Sequence, residues 1–256
     1  MKKSKFTEII ESICPSDLAE DWDNCGYQVN TEFQDVERIL VALEVTDEVI
    51  EEAIETESDM IVTHHPLIFG GINTVDNEDT IGRYINRLIR AGISVYSCHT
   101  SFDKMEGGNN DYLGQVLELN NIEHFDNGND FCRKAVTPFE VTFAEFIHRA
   151  AEALEINEKF FNACGDLTRT IYSVGWCTGS GAEFIEDAVD EGCDLYITGD
   201  LKYHDAQKAK AMDICVLDAG HYGTEKIFVD NMAAILSRKT NCELIKSKID
   251  INPFIC

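Results

Sequence analysis

Residues 38–65, RILVALEVTDEVIEEAIETESDMIVTHH, contain the pattern that decides the fold. The apolar run 38–45 is typical of a buried strand. Thr46 follows as a helix N-cap, and acidic residues occupy the first turn of a helix that we expect to reach Glu55. A second predicted strand covers 60–65, which begins with the apolar residues 60–62 and ends in two histidines. A strand, a helix and a second strand in this order predict a βαβ unit, and hence an α/β fold with a mainly parallel sheet.

The same alternation continues on both sides of this stretch. Further strands are predicted at 94–99, 134–142, 170–177, 195–198, 215–217 and 243–251, and further helices at 6–13, 80–91, 111–118, 143–154, 182–191, 205–211 and 222–238. Gly92 is predicted to cap the helix at 80–91. The polar segment 120–130 is rich in Asn, Asp and Gly, which favours a boundary there. We therefore expect two α/β halves, 1–125 and 126–256, with the C-terminal part packing back on the first half.

The chain is strongly acidic, with 47 Asp and Glu against 21 Lys and Arg and a net charge of −26. Nucleic acids and anionic membranes are bound through Lys and Arg, so this charge argues against both as partners. No run approaches the roughly 18–20 apolar residues of a membrane span, and Glu8 and Glu11 interrupt the N-terminal candidate for a signal peptide. We expect a cytoplasmic protein whose ten cysteines, none of them in C-x-x-C spacing, are mostly free thiols.

Side chains able to bind a metal follow three of the predicted strands. They are His64 and His65 after the first, His99 and Asp103 after the second, and His221 and Glu225 after the third. Taken singly, these pairs are also typical of ordinary core or surface histidines, a helix N-cap and an exposed helix pair. Open α/β sheets bind ligands at the carboxyl ends of their strands, so the occurrence of all three groups at strand ends favours a metal-binding site.

The donor set indicates the class of metal. Without His99, which is treated separately below, the set has three neutral imidazoles and two carboxylates, and these suit Zn, Fe, Mn, Co or Ni better than Ca or Mg. Five protein ligands exceed what one tetrahedral catalytic ion takes, and they fit two ions roughly 3.5–4 Å apart that share a carboxylate and a water. Two divalent ions and the carboxylates of Asp103 and Glu225 sum to a net charge of +2, since 4 − 2 = 2. A small anionic substrate is therefore compatible with the acidic chain.

Five segments, in order along the chain, resemble the NIF-three-like family (NGG-interacting-factor-three-like), whose bacterial members are called GTP cyclohydrolase I type 2. They are 21–26 (DWDNCG), 63–69 (THHPLIF), 99–103 (HTSFD), 197–204 (ITGDLKYH) and 218–225 (DAGHYGTE). The resemblance implies two intertwined α/β domains with mainly parallel or mixed sheets, a dinuclear metal site in the cleft between them, and a ring-shaped homohexamer. It implies as metal ligands His64, His65, Asp103, His221 and Glu225, with Glu225 as the bridge.

The sequence departs from the family pattern at three positions. Asp200 stands where the family usually has Glu, Phe102 where it often has Leu, and Cys25 where it has a small aliphatic residue. These departures concern the fit of the substrate and the surroundings of the site, since all five ligand types are present. The long insertion that some relatives carry between the halves is absent from this chain.

Three further features have two interpretations each. His99 and His204 are candidate hydrogen-bonding partners of the metal ligands or proton carriers near the site, or else ordinary hydrogen-bonded histidines. The segment 179–181 (GSG) is either an anion-binding turn before a helix or a tight turn alone.

The site and the resemblance together favour a metal-dependent hydrolase. In it, a metal-activated water attacks a small anionic, nucleotide-like substrate while His204 or His99 moves the proton. The family name specifies ring opening of GTP, but no residue pattern singles out guanine. Two alternatives stay open: a non-catalytic protein that stores or delivers metal ions, and a protein-interaction scaffold.

Overall fold

The computed structural model describes residues 1–255 and shows a mixed α/β chain. The helices are α1 (Lys3–Ile13), α2 (Asp47–Glu55), α3 (Thr80–Ala91), α4 (Thr100–Lys104), α5 (Asn109–Val116), α6 (Phe143–Ala153), α7 (Ile185–Asp190), α8 (Tyr203–Ala211), α9 (His221–Glu225) and α10 (Phe228–Lys239). The strands are β1 (Gly26–Val29), β2 (Arg38–Ala42), β3 (Met60–Thr63), β4 (Ser94–Ser97), β5 (Asn120–His124), β6 (Arg133–Thr142), β7 (Asn162–Cys164), β8 (Thr170–Ser180), β9 (Leu195–Gly199), β10 (Cys215–Asp218) and β11 (Glu243–Lys246). The predicted α/β class is confirmed.

The chain forms two compact units. The first consists of Met1–Met105 and Phe228–Ile251, and the second of Glu106–Ile227 together with the stretch that begins at Asn252. Helix α10 and strand β11 thus belong to the first unit, where β11 pairs in parallel with β2. The expected division into 1–125 and 126–256 stays a prediction.

The first unit is built on a five-stranded sheet in the order β1-β4-β3-β2-β11. All neighbours are parallel except β1, which runs antiparallel to β4. The central strands bury Leu40, Ile61 and Val95 in one core with apolar residues of α2 and α3. Because Thr63 of β3 and Ser97 of β4 are paired in register, the residues that follow these two strands emerge side by side.

Capping residues set two helix boundaries of the first unit as the sequence predicts. The Thr46 hydroxyl accepts a hydrogen bond from the Val49 N–H at 3.2 Å, which satisfies a free donor in the first turn of α2. Helix α3 ends at Gly92, whose φ of +75° is a left-handed conformation that glycine adopts without steric cost.

The second unit is built on a six-stranded mixed sheet in the order β5-β6-β8-β9-β10-β7. Strands β8, β9 and β10 are parallel, and the outer strands are antiparallel to their neighbours. Trp176 of β8 is fully buried, and its Nε1–H donates to the Asn110 carbonyl at 2.8 Å. The parallel strands β9 and β10 carry the chain to the segments that hold Asp200 and His221.

Some local predictions are wrong for identifiable reasons. Residues 222–238 form two helices because the chain leaves the second unit at Ile227 and enters the first at Phe228, and each residue packs in its own unit. Part of the polar segment 120–130 is strand β5, which lies at a sheet edge and therefore lacks a buried apolar pattern. None of the helices within residues 1–255 combines the length and apolar character needed to cross a bilayer.

Candidate metal centre

His64 and His65 follow the last residue of β3 and are held there by backbone hydrogen bonds. Both backbone N–H groups donate to the Leu43 carbonyl, at 3.1 and 2.9 Å. The chain turns at this point, so the two rings do not alternate to opposite faces as in a continuing strand. Their centroids lie 5.1 Å apart with an interplanar angle of 41°. The two imidazoles are thus neighbours, as a shared site requires.

Each of these two imidazoles is fixed through Nδ1. The Nδ1–H of His64 donates to the Cys98 carbonyl at 3.0 Å, and that of His65 donates to Glu44 Oε2 at 3.1 Å. Both partners are oxygens that accept hydrogen bonds, so in the neutral imidazole the electron pair is at Nε2. Histidines that bind metals in proteins commonly have this arrangement of the second ring nitrogen.

Asp103 lies on α4, close to His64. Its Oδ1 is 3.5 Å from His64 Nε2, and both side chains are buried. The Asp103 N–H donates to the His99 carbonyl at 3.2 Å, which places Asp103 inside the helix and not at its N-cap. An imidazole nitrogen and a carboxylate oxygen at this distance form a donor pair of the kind that binds Zn or a transition metal.

His99 lies in the same cluster. Ring nitrogens of His64, His65 and His99 are all within 4.8 Å of one another. The Nδ1–H of His99 donates to Asp23 Oδ1 at 2.9 Å, so His99 is fixed in the same way as His64 and His65. The structure therefore brings together four side chains that sequence reasoning singled out in this unit, His99 among them.

Asp23 is the buried carboxylate that orients His99. Its Oδ2 accepts hydrogen bonds from the Thr100 backbone N–H at 3.0 Å and from the Thr100 hydroxyl at 2.5 Å. Burial acts to raise the pKa of Asp23, but the hydrogen bonds from His99 and Thr100 outweigh it and hold that pKa well below its usual range. Asp23 is therefore an ionised anchor that keeps the His99 ring in place.

In the second unit, His221 and Glu225 face each other on α9. His221 Nε2 lies 3.0 Å from Glu225 Oε2, as the four-residue spacing predicts. The Nδ1–H of His221 donates to Asp200 Oδ2 at 2.8 Å. Asp200 has φ +56°, a left-handed conformation that is uncommon for a residue other than glycine. The imidazole is again fixed through Nδ1 by an oxygen acceptor, with Nε2 beside a buried carboxylate.

Gly179, at the end of β8, makes room for the Glu225 carboxylate. A Cβ atom at this position would lie 2.2 Å from Glu225 Oε1, and the φ of Gly179 is +66°. Its N–H donates to the Thr224 hydroxyl at 2.9 Å. The Gly181 N–H likewise donates to Thr198. Gly179 is thus part of the end of β8, the N–H groups of Gly179 and Gly181 bind side chains of this unit, and the lack of a side chain at Gly179 leaves space for the Glu225 carboxylate.

His204 and Cys25 are placed differently from the ligand candidates. His204 is exposed on α8 and its ring contacts Tyr203 at 5.3 Å. Among the described residues, it is in no group of three side chains with ligand atoms within 4.8 Å. Burial raises the pKa of the Cys25 thiol to about 11, which disfavours the thiolate that a reactive nucleophile needs.

The donor chemistry of both units fits a transition metal or zinc. His64, His65 and His221 each present Nε2 with Nδ1 bound to an oxygen, and Asp103 and Glu225 are buried beside imidazoles. Imidazole nitrogen combined with carboxylate oxygen suits Zn, Fe, Mn, Co or Ni. Sequence reasoning missed the oxygens that orient the rings. Asp23 precedes His99 by 76 residues, and no local pattern links two residues so far apart.

Comparison with known proteins gives a consistent result over the whole chain. Residues 1–253 match the family model described as Duf34/NIF3 (NGG1p interacting factor 3). A protein of Clostridium perfringens named GTP cyclohydrolase 1 type 2 homolog is 34% identical, with 99% of each chain covered. The Protein NIF3 homolog of Schizosaccharomyces pombe is 30% identical, over 98% of this chain and 94% of that protein.

A solved structure extends the likeness to the fold. The Bacillus cereus protein related to NIF3 superposes with a TM-score of 0.93 at 22% identity, covering 100% of this chain and 99% of that chain. This agreement confirms the mixed α/β architecture that the resemblance implied. On the family match and the relatives together, the chain belongs to the DUF34/NIF3 family.

Proposed function

We propose that the chain is a metal-dependent hydrolase that binds two divalent ions and acts on a small anionic, nucleotide-like substrate. The ligands that we propose are His64, His65 and Asp103 of the first unit and His221 and Glu225 of the second. The observation that carries the proposal is the common state of the three imidazoles: each donates through Nδ1 to an oxygen, which directs the electron pair of the neutral ring to Nε2.

The ions would supply the chemistry that side chains alone lack. Bound divalent ions of this class lower the pKa of water to near neutrality and neutralise negative charge that develops on a substrate. Zn, Fe, Mn, Co and Ni all suit the donor set. The names of the bacterial relatives point to a GTP cyclohydrolase type of reaction, and we adopt GTP as the first substrate to test.

Two histidines are proposed to handle protons. His99 is held by the ionised Asp23 through Nδ1, so its Nε2 is the atom that would accept or release a proton. His204 is exposed and unconstrained by a carboxylate in the contacts described, which suits a group that meets substrate from solvent. We keep both as proposed catalytic residues.

The proposal also covers the oligomeric state, the location and the partners of the protein. We propose a cytoplasmic homohexamer, on the basis of the family resemblance, with no nucleic-acid partner because the net charge is −26. Sedimentation equilibrium at physiological salt tests the assembly, and the expected mass is that of six chains. An electrophoretic shift of duplex DNA at the same salt would contradict the statement about nucleic acid.

Elemental analysis and turnover measured on the same samples test the central proposal. The wild type should hold about two divalent ions per chain and hydrolyse GTP. Replacing His64 or His221 by Ala should remove metal and lower turnover at least 100-fold, because removal of one ligand of a catalytic ion weakens the whole set. His204→Ala should keep its metal and lose turnover.

The control is His124→Ala, which changes an exposed histidine on β5 and should alter neither metal content nor turnover. Metal-free wild type that gains no metal on incubation with Zn or Mn would contradict the ligand assignment. Full metal content with no turnover, combined with rapid transfer of the metal to a chelator, would contradict the hydrolase proposal and favour a metal-delivery protein.

A further inference from the structure

Two large aromatic side chains of the first unit, Trp22 and Phe69, lie exposed beside His99. Their rings contact each other with centroids 5.9 Å apart. Each ring also contacts the His99 imidazole, at 6.1 Å for Trp22 and 6.4 Å for Phe69. Trp22 is 59% exposed and Phe69 is 64% exposed, whereas Phe102 and Phe228 near His64 are fully buried. The exposed pair is therefore not part of the core.

Hydrogen bonds hold together the two loops that carry these rings. Asn24, two residues after Trp22, donates from Nδ2 to the Ile68 carbonyl at 2.7 Å. Gln28 Oε1 accepts from the Ile68 N–H at 3.1 Å and from Asn24 Nδ2 at 3.2 Å. Phe69 follows Ile68 directly. The rings are thus presented in a defined arrangement, which is what a preorganised binding surface requires.

We propose that Trp22 and Phe69 form a binding surface for a planar nitrogen heterocycle of the substrate, next to His99. Aromatic rings stack or meet edge to face at centroid distances of about 4.5–7 Å, and the contacts of Trp22, Phe69 and His99 lie in this range. The inference rests on the proposed function and deepens it, because it names the part of the substrate that the chain recognises without charge.

A non-ionic contact suits this chain for an electrostatic reason. The net charge of −26 disfavours the approach of an anionic substrate, whereas bound cations would attract it locally. Stacking of a heterocycle on an aromatic side chain does not depend on charge and tolerates different bases. The position beside His99 also favours a small ligand over a protein partner, because a docked protein would cover histidines that the proposed reaction must leave open to substrate and water.

Isothermal titration calorimetry on the metal-loaded chain tests the proposal, with GTP and inorganic tripolyphosphate as the two probes. Trp22→Ala and Phe69→Ala should each raise the Kd for GTP by about 5- to 150-fold, the range expected for the loss of one stacked base. The Kd for tripolyphosphate, which has no ring, should stay within about twofold. Trp22→Phe should return the Kd for GTP to within about threefold of wild type.

The matched control is Tyr172→Ala, which removes a ring that is 64% exposed on β8 of the second unit. Neither Kd should change. Tryptophan fluorescence gives a second readout, since Trp176 is fully buried and Trp22 is exposed. GTP should quench the emission of wild type, and in Trp22→Phe the quenching should disappear while binding persists in the calorimeter.

Three results would overturn the inference. They are a metal-loaded wild type that does not bind GTP, a Trp22→Ala variant that binds GTP like the Tyr172→Ala control, and equal weakening of GTP and tripolyphosphate. Metal content and GTP hydrolysis, measured on the same samples, distinguish failure of this inference from failure of the proposed function. If GTP binding depends on Trp22 but GTP is not hydrolysed, only the proposed reaction is contradicted. If GTP is hydrolysed equally well without Trp22, only the proposed ring-binding surface is contradicted.

Discussion

Replacing Gly179 by Ala should weaken metal binding without removing any ligand. The added Cβ would lie 2.2 Å from Glu225 Oε1, whereas contacts under 3.0 Å are essentially never found for a Cβ, so this oxygen must move by about 1 Å. The oxygen is the end of a flexible side chain, so the carboxylate is displaced and the backbone keeps its place. Displacements of this kind in residues that orient a metal site typically cost about 10- to 100-fold in affinity.

The substitution also has a backbone cost, which a second variant isolates. Gly179 has φ +66°, and a side chain in the left-handed region costs about 1–2 kcal/mol. Gly192 has a similar φ of +72°, but a Cβ there would meet no atom within 4 Å. Gly192→Ala should therefore lose about 1–2 kcal/mol of unfolding free energy and keep full metal affinity.

Two measurements on both variants separate the effects. Urea unfolding of the metal-free proteins gives the free energy of unfolding, and equilibrium dialysis against Zn or Mn gives the affinity. We expect similar losses of stability and a weaker affinity for Gly179→Ala alone. Equal metal affinities in the two alanine variants would refute the reasoning that Gly179 exists to position Glu225.

Three further predictions concern individual side chains. Asp23→Asn should lower the free energy of unfolding by about 1.5–3 kcal/mol at pH 7, since it removes charge-assisted hydrogen bonds to a buried carboxylate. Folding lowers the pKa of Asp23, so the stability that this carboxylate contributes is fully present above about pH 3.9 and is lost as the pH falls further. Urea unfolding from pH 7 to 3 should therefore show the difference in free energy of unfolding between wild type and variant becoming smaller. A difference that stays constant would contradict this. Thr46→Ala should cost about 1 kcal/mol in the same assay through loss of the hydrogen bond from Val49, whereas Thr46→Ser should cost much less, and an equal cost for both would argue against the cap. Burial raises the pKa of Cys193 to about 11, so at pH 7.5 it should carry roughly 300-fold less thiolate than a free cysteine; mass spectrometry should find it alkylated by iodoacetamide far more slowly than in urea, and equal rates would contradict the burial.

Local signals predicted the first unit well where the chemistry is local. Thr46 and Gly92 mark helix ends because a cap acts on backbone groups within one turn, and both are confirmed. The runs that became β2 and β3 were recognisable because buried parallel strands are apolar on both faces. Strands β1 and β7 were not predicted, since both are short strands whose pairing with a distant strand defines them.

The candidate site divides in the same way. His221 and Glu225 were predictable as a pair because four residues on a helix share a face. The partners of the rings were not: Glu44 precedes His65 by 21 residues and binds it only because β2 and β3 are neighbours in the sheet. The close approach of Gly179 and Glu225 is likewise a contact between segments that are distant in the chain, so it could not be predicted from a single sequence.

An anomalous difference map from crystals of the protein as isolated, recorded at the absorption edge of the bound metal, tests the central claim most directly. We predict metal peaks within bonding distance of Nε2 of His64, His65 and His221, with each Nδ1 still hydrogen-bonded to its oxygen. Metal bonded through Nδ1, or bound only at residues outside this set, would contradict it.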